Sequence, residues 1–139
     1  MDDAFFATWT PRAQALLRIV TGYLFLTHGS AKLLGMPHVE MFANLQVMSL
    51  IGFAGILELV GGALIVIGLF TRPVAFILSG EMAFAYFLGH VFKNPEPVWH
   101  PIVNGGGLAV VLCFSCLYLA TAGGGPISVD AAMGKTPRS

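Results

Sequence analysis

Four apolar segments, each about 20 residues long, limit the folds open to this chain more than any other feature. A helix rises about 1.5 Å per residue, so each segment can cross a hydrocarbon layer about 30 Å thick. The segments run from Ala13 to Leu34, Leu50 to Phe70, Val74 to Phe92 and Ile102 to Ala122. We therefore predict an all-α protein, a transmembrane four-helix bundle in contact with the lipid bilayer.

The composition agrees with a lipid environment. Of the 139 residues, 56% are hydrophobic and 10% are charged, whereas soluble domains carry about 25% charged residues. A water-soluble domain of this size exposes much of its surface and needs more polar residues to cover it. The formal net charge is zero, so no overall field attracts nucleic acid, and we predict no nucleic-acid partner.

Clear breaks separate the apolar segments. They lie at Gly35-Met36-Pro37, Thr71-Arg72-Pro73, Asn94-Pro95-Glu96-Pro97 and Gly123-Gly124-Gly125-Pro126. Glycine and proline are the strongest local breakers of regular structure. The segments lack the period-two alternation of a membrane barrel, which favours helices. We expect the last break to be followed by a polar tail.

Basic residues predict the orientation in the membrane. One side carries Arg12, Arg72, Lys135 and Arg138, with Arg18 near the same side, and the other carries Lys32 and Lys93. The positive-inside rule then places both termini in the cytoplasm. In the first outer (periplasmic) loop, the pattern from Val39 to Met48 predicts a short helix lying in the membrane interface. A plain loop is the alternative.

We single out seven of the polar residues that fall within or beside the predicted spans. They are Arg18, His28, Lys32, Glu58, Glu81, His90 and Asn104. A charge at membrane depth costs several kcal/mol unless it is paired or hydrated, so such residues are candidate site residues. We regard Glu58, Arg18 and Lys32 as candidate catalytic residues, and His28, Glu81, His90 and Asn104 as candidate ligand-binding residues.

Helical geometry suggests which of these side chains meet. At about 100° per residue, Lys32 and His28 lie within roughly 80° of Arg18 on the first helix. An ion pair of Arg18 with Glu58 or Glu81 is expected, and such a pair can serve structure alone by fixing helix register. Alternatively, Lys32 extends to the interface. His90 is about 180° from Glu81, so the two share a pocket only if the helix is distorted near Gly89.

Small residues predict how closely the helices pack. Glycines on the Glu58 face of the second segment and the Ala75, Ser79, Ala83 stripe of the third segment predict close contacts between helices.

Histidines and cysteines are the remaining residues that could bind a metal or react. The histidines His28, His38, His90 and His100 lack a tight ligand spacing, so we predict hydrogen-bonding histidines and no metal. Cys113 and Cys116 match a CxxC pattern in mid-helix, where small core residues are the favoured interpretation.

Several motifs along nearly the whole chain resemble one known family. They are Arg18, Gly22, His28, Gly29, Lys32 and Leu34-Gly35-Met36-Pro37; then Glu58-Leu59-Val60-Gly61-Gly62 and Gly68-Leu69-Phe70-Thr71-Arg72; then Met82, Ala85, His90 and Ser128-Val129-Asp130. The family they resemble is DoxX. The resemblance implies a single membrane domain over residues 1–139 in the bacterial cytoplasmic (inner) membrane. Members are associated with thiosulfate oxidation feeding quinone and with assemblies that handle thiol and oxidative stress.

Three functions follow as hypotheses. In the first, the chain is a subunit or accessory of a membrane redox system and binds a quinone or small sulfur compound. His28 or His90 then hydrogen-bonds a carbonyl oxygen, and Glu58 manages a proton. Partner proteins or a diffusible cofactor supply the electrons. The second is a proton- or cation-coupled carrier, and the third a non-catalytic scaffold for soluble redox enzymes. The sequence is compatible with a homo-oligomer.

Overall fold

Helices form the framework of the computed structural model, which describes residues 2–134. The four long helices are α1 (Asp3–Leu33), α2 (Leu50–Ile67), α3 (Thr71–Tyr86, continued by a π-helical turn over Phe87–Val91) and α5 (Gly107–Ala122). Two short helices are α4 (Pro101–Asn104) and α6 (Val129–Ala132). No strand occurs within residues 2–134, as predicted. Lys135 and Arg138, used above for the orientation, lie outside the described residues.

The four long helices pack in a ring. Helix α1 packs on α2, α2 on α3, α3 on α5, and α5 on α1. The buried core lies between them and consists of Phe25, Ile65, Ala75, Leu78, Met82, Ala109, Leu112, Cys116 and Leu119. Within the described residues, Leu50–Ile67 and Thr71–Val91 are long and apolar enough to cross a membrane. That all four long helices cross a bilayer stays a prediction.

Capping residues determine where α1 begins and where α2 begins and ends. Helix α1 begins ten residues before the expected Ala13, because the Asp2 side chain accepts a hydrogen bond from the Phe5 backbone nitrogen at 3.0 Å and caps an earlier start. Ser49 caps α2 by accepting from Gly52 at 3.1 Å. Helix α2 ends at Ile67, three residues before the expected end, because Gly68 takes a left-handed conformation with φ of 72°.

The boundaries of α3 and α5 also differ from the prediction. Thr71-Arg72-Pro73 was expected to be a connection, but it forms the first turn of α3, where proline is tolerated. The fourth span was expected from Ile102. Instead, α4 forms one turn over Pro101–Asn104, Gly105 has a left-handed φ of 76°, and α5 starts at Gly107.

Two connecting segments differ from their expected form. The helix predicted from Val39 to Met48 is reduced to one 3₁₀ turn over Glu40–Phe42, which makes the segment mostly a loop. A helix this short gains too few hydrogen bonds to offset nucleation. After the glycine run, the described chain does not continue as the expected polar tail. It forms α6, capped by Ser128, and Asp130 of that helix is buried.

Candidate functional site

Close packing of α1 on α2 positions the charged residues. The two helices meet at glycines, where a side chain would collide with the backbone of the partner helix. A Cβ atom on Gly22 would lie 2.6 Å from the Val66 nitrogen, and one on Gly62 would lie 2.5 Å from the Leu26 nitrogen. Further along, a Cβ atom on Gly55 would lie 3.1 Å from the Cβ of Lys32. The predicted glycine packing therefore brings Lys32 directly against α2.

Lys32 and Glu58 form a buried ion pair between α1 and α2. The Lys32 ammonium lies 2.8 Å from both carboxylate oxygens of Glu58. The Lys32 side chain is 13% exposed and the Glu58 side chain 4% exposed. On the loop side, the ammonium lies 5.6 Å from the centre of the Phe42 ring. Lys32 therefore does not extend to the interface; it neutralises Glu58.

Glu81 of α3 joins this pair as a second carboxyl group. It interacts electrostatically with both Glu58 and Lys32. Both Glu81 oxygens are buried, and no N–H or hydroxyl group of the described residues donates to them; their hydrogen-bonding neighbour is the Glu58 carboxyl group. We call Lys32, Glu58 and Glu81 the carboxyl cluster. It combines two carboxyl groups with one ammonium group inside the helical ring.

Arg18 does not form the expected ion pair with Glu58 or Glu81. Its guanidinium instead donates to the backbone carbonyl oxygens of Gly124 at 2.7 Å and Ile127 at 2.8 Å, with a longer contact to Val66 at 3.4 Å. Carbonyl groups at helix C-terminal ends lack partners within the helix and carry partial negative charge. Arg18 therefore ties the end of α2 to the chain that follows α5, apart from the carboxyl cluster.

Asp130 was named above only as part of the Ser128-Val129-Asp130 motif and not as a candidate site residue, yet it closes the same end of the molecule. Its two carboxylate oxygens accept hydrogen bonds from the backbone nitrogens of Phe70 and Thr71, both at 2.9 Å. It thereby caps α3 from 60 residues away in sequence. Asp130 also interacts electrostatically with Arg18. The available signal was the Ser128-Val129-Asp130 ending, since a serine before an acidic residue is typical of a helix start.

His28, His90 and Asn104 do not join the carboxyl cluster through any hydrogen bond in the described residues. The His28 ring nitrogen Nδ1 bonds the Leu24 carbonyl of its own helix at 2.8 Å. The His90 Nδ1 bonds the Asn104 carbonyl at 3.1 Å, and the Asn104 amide donates to Val98 at 2.8 Å. These contacts fix the short α4 turn against the π-helical turn.

The π-helical turn is the distortion that the sequence analysis required near Gly89. It lies over Phe87–Val91, so the angle of about 180° between His90 and Glu81, which assumes an ideal α-helix, does not apply. His90 bonds the Asn104 backbone carbonyl, and no hydrogen bond or ion pair joins His90 to Glu81 within the described residues. Within residues 2–134, no three His, Cys, Asp or Glu side chains form a group that could hold a metal ion.

The two cysteines face the contact between α3 and α5. Both are free thiols, Cys116 is fully buried, and Cys113 is half-buried. The Ser79 hydroxyl donates to the Cys113 carbonyl at 2.8 Å, which joins α3 to α5. Cys116 also interacts electrostatically with Glu81. The cysteines therefore act as small core residues, and the carboxyl cluster borders them.

An apolar groove runs between α2 and α3. Its volume is about 250 Å³ and it is open on one side. It is lined by Ile56, Leu57, Val60, Gly61, Leu64, Val74, Ile77 and Leu78. Leu57 precedes Glu58, and Leu78 lies nearly one turn before Glu81, so one end of the groove lies at the level of the carboxyl cluster.

Large apolar side chains cover the outside of the ring, including Phe76, Phe84 and Phe114, each more than 60% exposed. Such a surface suits lipid, because water would have to solvate it. A ring of apolar helices around a buried ion pair defines a small helical membrane protein.

Comparison with known protein families identifies the family. The DoxX family model matches residues 13–91, and the chain belongs to that family.

Two curated proteins are similar to this chain. An uncharacterized protein of Haemophilus influenzae is 42% identical over 123 residues, which cover 88% of this chain and 91% of the relative. A Bacillus subtilis protein named "Putative oxidoreductase CatD" is 35% identical over 66 residues, which cover 46% of this chain and 49% of that protein. No solved structure matches the chain. The protein is thus an integral membrane protein of the DoxX family.

Proposed function

We propose that this protein is a subunit or accessory of a membrane redox system, in which the carboxyl cluster binds and releases one proton. The observation that carries the proposal is the burial of Glu81 beside the Lys32–Glu58 ion pair, where its hydrogen-bonding neighbour within residues 2–134 is a second carboxyl group, that of Glu58. Two ionised carboxylates against one ammonium leave an excess negative charge, which is costly inside a membrane. One bound proton makes the cluster neutral.

The substrate class under this proposal is a quinone or a small sulfur compound. Reduction of a quinone to a quinol takes up two electrons and two protons. The carboxyl cluster supplies one of the protons, the second comes from the aqueous phase, and a partner protein or a diffusible carrier supplies the electrons. Similarity to a relative whose name includes oxidoreductase supports this direction. His28 lies one helical turn from Lys32 and is our candidate for binding a carbonyl oxygen. Its Nδ1 already donates to the Leu24 carbonyl, so this role requires that Nε2 be protonated as well.

The proposal revises two roles. Arg18 is assigned to structure, because its guanidinium is occupied by backbone carbonyls. His90 and Asn104 are assigned to holding the α3–α5 connection, because they bond to each other. The proposed location is the bacterial inner membrane, with four crossings and both termini in the cytoplasm. The ring of four helices and two sufficiently apolar helices support this topology.

The test uses inner-membrane vesicles from the native cells, so that partner proteins are present. The chromosomal gene is replaced by Glu58→Gln, Glu81→Gln, or Glu40→Gln as a matched control, since the Glu40 side chain is 93% exposed in the outer loop. Thiosulfate is added and the quinol fraction is measured by extraction. We expect the two cluster variants to lower the rate about 10²-fold or more, and Glu40→Gln to leave it unchanged.

Normal rates in both cluster variants, with normal protein levels, would remove the carboxyl cluster from the reaction. The second candidate function is a proton-coupled carrier, favoured by the same buried carboxyl pair. Purified protein in liposomes with an internal pH-sensitive dye distinguishes the two. Proton flux without a redox partner, lost in Glu58→Gln, would replace the redox proposal with the carrier.

A further inference from the structure

A small cleft lies at the end of the molecule opposite the Glu40–Phe42 loop. Its volume is about 130 Å³, and it separates the turn between α2 and α3 from the glycine turn after α5. Thr71 and Arg72 line one side, and Gly123 and Gly124 line the other. We propose that this cleft binds the phosphate group of an anionic phospholipid. This site is separate from the carboxyl cluster and does not depend on the function proposed for it.

The charges around the cleft favour an anion. Asp130 also lines the cleft, but its carboxylate accepts two backbone hydrogen bonds and interacts with Arg18. Its negative charge is therefore compensated within the protein. Arg72 adds a second guanidinium, so the positive charges of Arg18 and Arg72 exceed the single negative charge of Asp130. The excess positive charge belongs to Arg72, whose side chain is exposed.

Arg72 is also oriented by the protein. One of its N–H groups donates to the Thr121 carbonyl at 2.7 Å, which holds the guanidinium against the end of α5. A guanidinium has five N–H donors in a planar fork, and this geometry suits a phosphate group. A Cβ atom on Gly123 would lie 3.3 Å from the Arg72 Nε. A larger residue there would therefore press on the guanidinium.

Thr71 provides a second, independent observation. Its side chain is fully buried, it lines the cleft, and its hydroxyl has no hydrogen-bond partner in residues 2–134. A buried hydroxyl without a partner is costly and calls for an explanation such as an external ligand. A Cβ atom on Gly124 would lie 2.8 Å from this hydroxyl oxygen. Glycine at that position therefore lets the backbone after α5 approach the hydroxyl closely.

The position of the cleft favours a lipid over free phosphate. It lies where the apolar helices α2 and α5 end and α3 begins, which is the level of the headgroups if these helices cross the bilayer. Phe70 lines it and is 50% exposed, and the nearby Ile127 is 80% exposed. These apolar side chains suit the glycerol and upper acyl region of a lipid. Anionic lipids are attracted to basic residues at the cytoplasmic surface.

The test measures lipid selectivity by electron spin resonance. The purified full-length protein is reconstituted in phosphatidylcholine with trace spin-labelled phosphatidylglycerol or spin-labelled phosphatidylcholine. We expect the wild type to retain phosphatidylglycerol about fivefold more strongly than phosphatidylcholine. Arg72→Gln and Thr71→Val should each reduce this preference. Thr71→Val removes the hydroxyl while nearly keeping the shape, so it separates lipid binding from folding.

Arg12→Gln is the matched control. It also removes one positive charge on the predicted cytoplasmic side, but Arg12 lies over the Trp9 ring at 4.9 Å on α1 and does not line the cleft. A loss of preference in Arg12→Gln equal to that in Arg72→Gln would show diffuse attraction and overturn the site. Equal retention of both lipids by the wild type would also overturn it. Displacement of the lipid by inorganic phosphate would identify a free anion as the ligand instead.

Discussion

Lys32 and Arg18 show how two cations on one helix face acquire different partners. Lysine carries a compact charge, and Lys32 meets the Glu58 carboxylate at the glycine-lined contact of α1 and α2. Arginine carries a planar fork of donors, and Arg18 uses it to bind several carbonyl oxygens at once. The first pairing creates a candidate site for chemistry. The second closes the opposite end of the bundle.

The Lys32–Glu58 pair gives a prediction at this scale. Lys32→Met leaves the buried Glu58 without its cation, so we expect a loss of about 3–5 kcal/mol in the free energy of unfolding. The double variant Lys32→Met/Glu58→Met removes both charges and should recover most of that loss. Thermal unfolding in a mild detergent provides the measurement. A double variant as unstable as the single one would contradict the view that the pair is held by charge compensation.

Asp130 gives a second prediction. Asp130→Ala removes the acceptors for the Phe70 and Thr71 backbone nitrogens, and we expect a loss of about 1–2 kcal/mol. Asp130→Asn keeps one acceptor oxygen and should lose less. Both variants are compared with wild type by thermal unfolding. Unchanged melting in Asp130→Ala would mean that α6 does not secure the start of α3.

The sequence predicts these residue contacts only in part. Buried charges stand out in an apolar chain, so Lys32, Glu58 and Glu81 were recognisable as candidates. The partners of Arg18 are backbone carbonyls of Gly124 and Ile127, which every residue type possesses, so no side-chain pattern marks them. Arg18 is also 106 residues from Gly124 in sequence. Helical geometry within one segment contains no information about such a contact.

At the scale of elements, hydrophobicity predicts that a helix forms, while caps and glycines determine where it ends. All four long helices overlap the predicted segments. Their ends differ because Asp2 extends α1, Asp130 secures an earlier start of α3, and Gly105 delays α5. The π-helical turn in α3 contacts Asn104, which is 14 residues from His90 in sequence. The local sequence therefore indicated where the helix could be distorted, near Gly89, but not that the distortion is a π-helical turn.

The contact of α1 with α2 gives a prediction at this scale. Gly22→Ala places a Cβ atom 2.6 Å from the Val66 nitrogen, so the helices must separate and stability must fall. Gly80→Ala is the matched control, because a Cβ atom there has no neighbour within 4 Å in the described structure. In α3, alanine also favours the helix by about 1 kcal/mol relative to glycine.

We therefore expect the two glycine variants to change stability in opposite directions. Thermal unfolding in detergent measures the difference in stability between the two variants. Equal melting temperatures for Gly22→Ala and wild type would show that the glycine contact is loose. A strong loss in Gly80→Ala would show that the face of α3 carrying Gly80 is covered by another molecule.

The two ends of the molecule differ in the role of their buried polar groups. At one end, Arg18, Asp130 and the segment after α5 bind the helix termini together. Toward the other end, the carboxyl cluster lies between α1, α2 and α3, and Phe42 lies beside Lys32. An exchangeable proton would then reach the cluster from the aqueous phase on the loop side, or on a quinol that arrives through the bilayer. This division depends on the helices crossing the membrane with a defined orientation.

That orientation provides the last prediction. An even number of crossings puts the start of α1 and the end of the described chain on the same side, and the positive-inside rule makes that side cytoplasmic. In intact spheroplasts, a membrane-impermeant maleimide should label Asn94→Cys but not Ala7→Cys or Gly134→Cys. The latter two should react only after permeabilisation. The wild type is the control, since its two cysteines lie in the helical core region. Labelling of Ala7→Cys in intact spheroplasts would reverse the orientation, and opposite behaviour of Ala7→Cys and Gly134→Cys would rule out four crossings.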